Sequence, residues 1–244
     1  CFHGHSEIAE MIAKNSSNTF TTTATTKLKI GLNNKNIDGS SAFHLACWQG
    51  HSEIAEMIMK NSSKLNIDLN SKNNTRDGNP GAYNLRSISD GWTAFHFTCF
   101  SGHSEIAEMI MKNSSQLKID LNRKDNYGMT AFHFACMRGH IKIVNMMIEQ
   151  SESLELDLEA KDNEINWATF MPYGAAFDEV SRNMYISKYV DNKTGYQLAK
   201  VFERNDIVNL IQMKMPSLAL YGLTKIEIDY HISIFGTVPP PFLK

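Results

Sequence analysis

The nine-residue string GHSEIAEMI occurs three times, at Gly4–Ile12, Gly50–Ile58 and Gly102–Ile110, and a diverged copy, GHIKIVNMMI, occupies Gly139–Ile148. Self-similarity of this kind limits the fold more than any composition does. A chain that repeats one short supersecondary unit must stack its copies, because no single copy can bury both of its faces. Cys1, Cys47, Cys99 and Cys136 each stand three residues before the glycine of a copy, so the copies share one register. The last two cysteines are 37 residues apart, whereas the earlier gaps of 46 and 52 residues contain inserted segments.

Each complete unit begins with a turn signal, at Asp38-Gly39, Asp90-Gly91 or Tyr127-Gly128, and continues through an apolar run such as TAFHFAC, then Gly-His, then SEIAEMIMKN. That order spells turn, helix, turn, helix. In the second helix Ile54, Ala55, Ile58 and Met59 follow the period of a broad buried face, with Ser52 expected as its N-cap and Asn61 as its stop. Glu56 with Lys60, and Glu108 with Lys112, stand four residues apart in the favourable order on the wet face, worth about 0.3 kcal/mol each. The runs LNIDLN and LKIDLN that follow read as short extended arms leading to the next turn.

The stretches GWTAFHFTCFSGHSEIAEMIM (91–111) and GMTAFHFACMRGHIKIVNMMI (128–148) resemble the ankyrin repeat, whose signature is T-P-L-H-x-A. Thr93, Phe95 and His96, like Thr130, Phe132 and His133, take the Thr, Leu and His places, and Ala94 and Ala131 replace the proline. The expected fold is all-α, a solenoid of about five stacked helix-turn-helix repeats with β-turn arms and turn-tip insertions. The units are a truncated repeat at 1–36, repeats at 37–74, 88–126 and 127–163, and a degenerate capping repeat at 191–215. In that last unit Thr194, Tyr196 and Leu198 keep register while Gln197 replaces the histidine, and Glu203-Arg204 replace Gly-His. Insertions occupy 75–87 and 164–190, the second rich in aromatics such as Trp167 and Tyr173; NTFTTTATT at 18–26 reads as a low-complexity excursion. The extension 216–244 contains the alternating KIEIDYHISIF, a strand pattern.

Equivalent positions in such a stack lie on the order of 10 Å apart, beyond the roughly 7 Å that a disulfide spans, so neighbouring cysteines are expected as buried free thiols. Free thiols suit a reducing compartment, which points to an intracellular, cytoplasmic location and against glycosylation at triplets such as Asn61. His44, His96 and His133 follow a Ser or Thr by three residues, within reach across one helical turn, and the ankyrin resemblance implies that this pair ties the turn to the helix. His51, His103 and His140, after the helix-ending glycines, read as fasteners between repeats. No CxxC, HExxH or zinc-finger spacing occurs, so the cluster reads as architecture with no metal and no cofactor.

Recognition is then expected where the copies differ. The resemblance implies that the end of each first helix lines the concave face together with the turn tips, which gives Trp48, Gln49, Phe100, Ser101, Met137 and Arg138, with Trp92, Tyr127 and Met129 from the turns. Aromatics and Arg are the types that dominate binding hot spots, although Trp48 and Phe100 also suit packing between neighbouring first helices. With 24 basic against 26 acidic residues, the formal charge of −2 provides no field for nucleic acid, and no apolar run reaches the roughly 20 residues of a membrane span. No phosphate loop or nucleophile–base set assembles, so no enzyme activity is expected. The chain opens on Cys1 inside a unit and is read as a monomeric segment of a longer protein. Its expected function is a scaffold binding an unidentified protein. The alternatives are a regulatory or targeting segment of a longer enzyme, channel or ubiquitin-ligase adaptor, and a small-molecule sensor using Arg138, Arg123 and Lys124.

Overall fold

The computed structural model describes residues 32–73, 91–163 and 193–221, and within them the chain forms two layers of helices. The first helices of each unit are α1 (Ala42–Gln49), α3 (Ala94–Ser101), α5 (Ala131–Arg138) and α7 (Gly195–Val201). The second helices are α2 (Ser52–Leu65), α4 (Ser104–Leu117), α6 (Ile141–Glu149) and α8 (Asn205–Lys214), and α9 (Pro216–Tyr221) follows. First helices stack on first helices in the order α1, α3, α5, α7, and second on second in the order α2, α4, α6, α8. Each pair also packs against itself, so the chain advances one unit at a time along an axis, the arrangement of an α-solenoid.

The main core lies between the two layers. Ile54, Ile58, Ile106, Ile110, Ile143 and Met147 of the second helices are all at most 1 % exposed, and they meet Phe43, Phe95, Phe132 and Tyr196 of the first. Burying side chains of this size contributes about 1.5–3 kcal/mol each. Cys47, Cys99 and Cys136 sit in this core as free thiols, and burial pushes Cys47 up to about 12, which removes them from thiolate chemistry. The repeated SEIAEMIM text therefore repeats one packing interface.

Three local expectations need correction. The second helices run on past Asn61 and Asn113 to Leu65 and Leu117, and the left-handed stops are Asn66 (φ 50°) and Lys118 (φ 54°). Asn61 instead donates to the Met57 carbonyl within the helix. Ser52 is the first helical residue and His51 the cap, because Gly50 at φ 78° turns the chain in one step and the helix restarts immediately. The arms after these stops contain turns and irregular backbone rather than extended runs.

The arms carry a ladder of asparagines. Asn33 Nδ2 donates to Asn66 O (2.6 Å) while its Oδ1 accepts from Asp68 N (3.1 Å). Asn70 brackets Lys118 O and Asp120 N in the same way, and Asn122 brackets Glu155 O and Asp157 N. Each amide thus holds the left-handed residue of the next unit, which explains how Lys118 and Glu155, neither a natural choice at positive φ, are kept there.

Inserted segments enter at closed turns. In the uninterrupted turn Asp125 N donates to Met129 O (2.9 Å). The same bond joins Asn73 N to Trp92 O (2.8 Å) and Asp162 N to Lys193 O (3.1 Å), so the described residues on either side of 74–90 and 164–192 are held together as in the uninterrupted turn. The expectations for residues 1–31, for both insertions and for the strand at 226–234 lie outside the described residues.

Candidate functional site

The repeated histidines are bound at both ring nitrogens, and the geometry fixes their state. His96 Nδ1 lies 3.0 Å from Thr93 N and 2.8 Å from its hydroxyl, and Nε2 lies 3.1 Å from Met129 O in the next unit. A backbone N–H can only donate and a carbonyl can only accept, so Nδ1 is bare and Nε2 carries the proton. His44 makes the same bonds to Ser41 and Trp92 O, and His133 to Thr130 and Lys193 O. Each ring closes the cap of its own helix and holds the turn of the following unit. Burial drives all three below the ordinary value, His44 and His133 to about 4 and His96 to about 3, despite the carbonyl bonds that favour the cation.

The second set of histidines joins units in the opposite direction. His103 Nε2 bonds Trp48 O (2.9 Å) and His140 Nε2 bonds Phe100 O (3.0 Å), each on the carbonyl that ends the preceding first helix. In the last unit Arg204 takes this position, its Nε donating to Met137 O (3.0 Å). Among the described residues no group of three His, Cys, Asp or Glu side chains is placed to hold a metal. The histidines are occupied as structure.

A second apolar assembly lies on the side of the first helices away from the second-helix layer. Trp92, Phe97, Met129, Phe134, Met137 and Leu198 are its buried centre, with Trp48, Phe100, Tyr127, Val201 and Phe202 half-buried around it; α2, α4, α6 and α8 contribute nothing. Trp92 stacks within 4.4 Å of Phe134 and 5.0 Å of both Phe97 and Phe100. Its indole N–H is accepted by Asp125 Oδ2 (3.1 Å), whose other oxygen accepts from Tyr127 N and Met129 N. Burial pushes the Asp125 carboxyl up to about 7 against those three donors. The Arg138 guanidinium is exposed and lies 4.6 Å above the Phe100 ring, a cation–π contact.

This divides the nine residues that the sequence marked for recognition. Trp92, Met129 and Met137, at 1 %, 0 % and 7 % exposed, are filling, because the turn tips fold inward over the first helices and the aromatic layer closes on them. Trp48, Gln49, Phe100, Ser101 and Tyr127 are partly exposed, and Arg138 is exposed. Of the two readings left open for Trp48 and Phe100, the packing one is seen, since each ring lies against the aromatic layer; each also keeps a partly exposed edge. The sequence reading missed Phe97 and Phe134, which build the layer, and the asparagines of the arms. The recurrence of Leu-Asn at 32–33, 69–70 and 121–122 was the available signal for the latter.

Two helical layers with repeating side-chain joints and an apolar layer on one side define a helical-repeat solenoid. The chain belongs to the ankyrin-repeat family: residues 71–162 match the family model for ankyrin repeats in three copies, and residues 38–74 match the single ankyrin-repeat model. Proteins of this family are generally protein–protein interaction modules and typically non-catalytic. A search of curated proteins gives no match to this chain. The pair α7–α8 falls outside the matched span yet stacks in register on α5 and α6. No helix among the described residues is long and apolar enough to cross a membrane.

Proposed function

We propose that this chain binds a protein partner through the surface made by the ends of its first helices and its turn tips, with Phe100 and Arg138 at the centre and Trp48, Gln49, Ser101 and Tyr127 around them. The observation that carries this reading is the aromatic layer outside the main core, half-exposed at its rim and surmounted by an exposed arginine. A solenoid needs the core between its helices; it does not need a second aromatic layer on the side facing solvent. Ordered aromatics and Arg are also the side chains best suited to a binding hot spot, since little rotamer freedom remains to be lost when a partner covers them.

Affinity purification from cell extract, with captured proteins identified by mass spectrometry, tests the reading. The Phe100→Ser/Arg138→Glu variant, with helical content and melting temperature checked against the parent, is expected to lose specific proteins that the parent retains. Capture of the same set by both would place the binding surface elsewhere.

A further inference from the structure

The first and second helices differ in charge as sharply as in burial. The four first helices contain no Asp or Glu at all, and their two cations are Arg138 and Lys200. The second helices carry Glu53, Glu56, Glu105, Glu108, Glu149 and Asp206, with lysines interspersed. Asp125, at the turn tip beside the aromatic layer, is buried and committed to the Trp92 indole and two backbone N–H groups. Arg204 reaches the same end of the surface through its bond to Met137 O. The first helices themselves therefore expose positive charge, at Arg138 and Lys200, beside the aromatic edges and the neutral Gln49 and Ser101, while Glu203, just past the end of α7, is exposed next to Arg204.

Resting on the function proposed above, we propose that the partner segment seated there is an acidic as well as apolar peptide, with a carboxylate meeting Arg138 and an apolar side chain against the edges of Phe100 and Trp48. The alternatives are disfavoured by desolvation. A purely apolar segment lying over Phe100 would cover the guanidinium with nothing to receive its N–H groups, leaving a charge out of water without a partner. A basic segment would add like-charge repulsion to that penalty. A carboxylate satisfies the guanidinium in the two-pronged geometry that arginine favours, and the ring beneath keeps the fork in place.

The test is selection from a random-peptide phage library on the intact chain. The expected result is enrichment of peptides that place Asp or Glu within a few residues of Leu, Phe or Trp. A synthetic copy of an enriched peptide should bind by fluorescence anisotropy, weaken as sodium chloride is raised, and lose about tenfold or more in affinity to Arg138→Glu. Arg138→Gln, which keeps the length of the side chain without its charge, should lose affinity in the same direction. Peptides whose binding is lost in Phe100→Ala but which lack acidic residues, or which bind Arg138→Glu and Arg138→Gln unchanged, would overturn the acidic-partner proposal and leave the binding surface standing. Peptides indifferent to Phe100→Ala, or no enrichment at all, would overturn both.

Discussion

The joints in the middle of the stack and the joint at its last described unit occupy the same positions with different side chains. Thr130 and His133 close the cap of α5 as Thr194 and Gln197 close that of α7, where Thr194 N donates to Gln197 Oε1 (2.9 Å). His133 also reaches forward, its Nε2 on Lys193 O. An imidazole has a bare nitrogen on one side and an N–H on the other, so it can accept from its own helix and donate to the next unit at once. The glutamine oxygen serves the backward bond equally well. Likewise His103 and His140 make the backward fastening through one ring N–H, and Arg204 makes it through one guanidinium N–H. What the fold requires at each joint is a donor or acceptor at a set point; histidine is used where one side chain must serve two units.

The largest expected effect follows from removing material shared by several units. Trp92→Ala deletes a 1 % exposed indole in contact with Phe97, Phe100 and Phe134 and orphans the Asp125 oxygen it satisfied, and should lower unfolding free energy by about 3–5 kcal/mol in urea titration. Gly102→Ala comes next. At φ 83° an alanine is strained, and its Cβ would lie 2.5 Å from His140 Cε1, so the joint that His140 makes with the end of α3 must open; a loss of roughly 2–3 kcal/mol is expected from the same measurement.

His133→Gln sharpens the comparison directly, because it converts a two-way joint into the one-way joint seen at Gln197. The cap of α5 should survive while Lys193 O keeps Asp162 N and loses the imidazole N–H, for a cost of about 1 kcal/mol, and hydrogen exchange should rise in α7–α8 more than in α5–α6. Retained protection of α7–α8 would show that forward bond to be dispensable. At the small end, Asn122→Ala removes an exposed bracket on Glu155 O and Asp157 N and should cost about 1 kcal/mol. Arg138→Ala, on the surface, should stay within about 0.5 kcal/mol of the parent, which separates its proposed role in binding from any in folding.

The stack, its register and the structural use of the Thr–His pair were legible in the sequence because a solenoid repeats one interface, and a repeated interface leaves repeated text. The exceptions follow from the same physics. The left-handed residues Lys118 and Glu155 were invisible because an asparagine from a neighbouring unit, not the residue's own preference, holds each in place. Trp92, Met129 and Met137 were misread as surface because variability between copies marks both a contact with a partner and a local repacking. Here the aromatic choice at Phe97 and Phe134, where α1 and α7 carry Leu45 and Leu198, filled the space beside the turn tips and drew Trp92 inward. Arg138 stayed legible because a guanidinium cannot follow its neighbours into an apolar layer without a partner.

Neutral, doubly bonded imidazoles join the units, and the pH dependence of stability reports on them. The folded state holds His44, His96 and His133 near 4, 3 and 4 against 6.5 for the ordinary side chain, so the unfolded chain takes up their protons first as pH falls. The stability they contribute is present above about 6.5 and is lost as pH falls toward 4. Asp125 acts oppositely, since a carboxyl raised from 3.8 to about 7 loses its contribution as pH rises through that interval. In the window between, the unfolded chain holds three more imidazole protons and the folded chain one more carboxyl proton. That net uptake of about two protons predicts a loss of roughly 3 kcal/mol per pH unit of acidification from these four groups. Urea unfolding of the intact chain from pH 7 down to pH 5 should show a steep fall in midpoint beginning near 6.5, steeper than in His133→Gln; a midpoint that stays level or rises on acidification would contradict the claim.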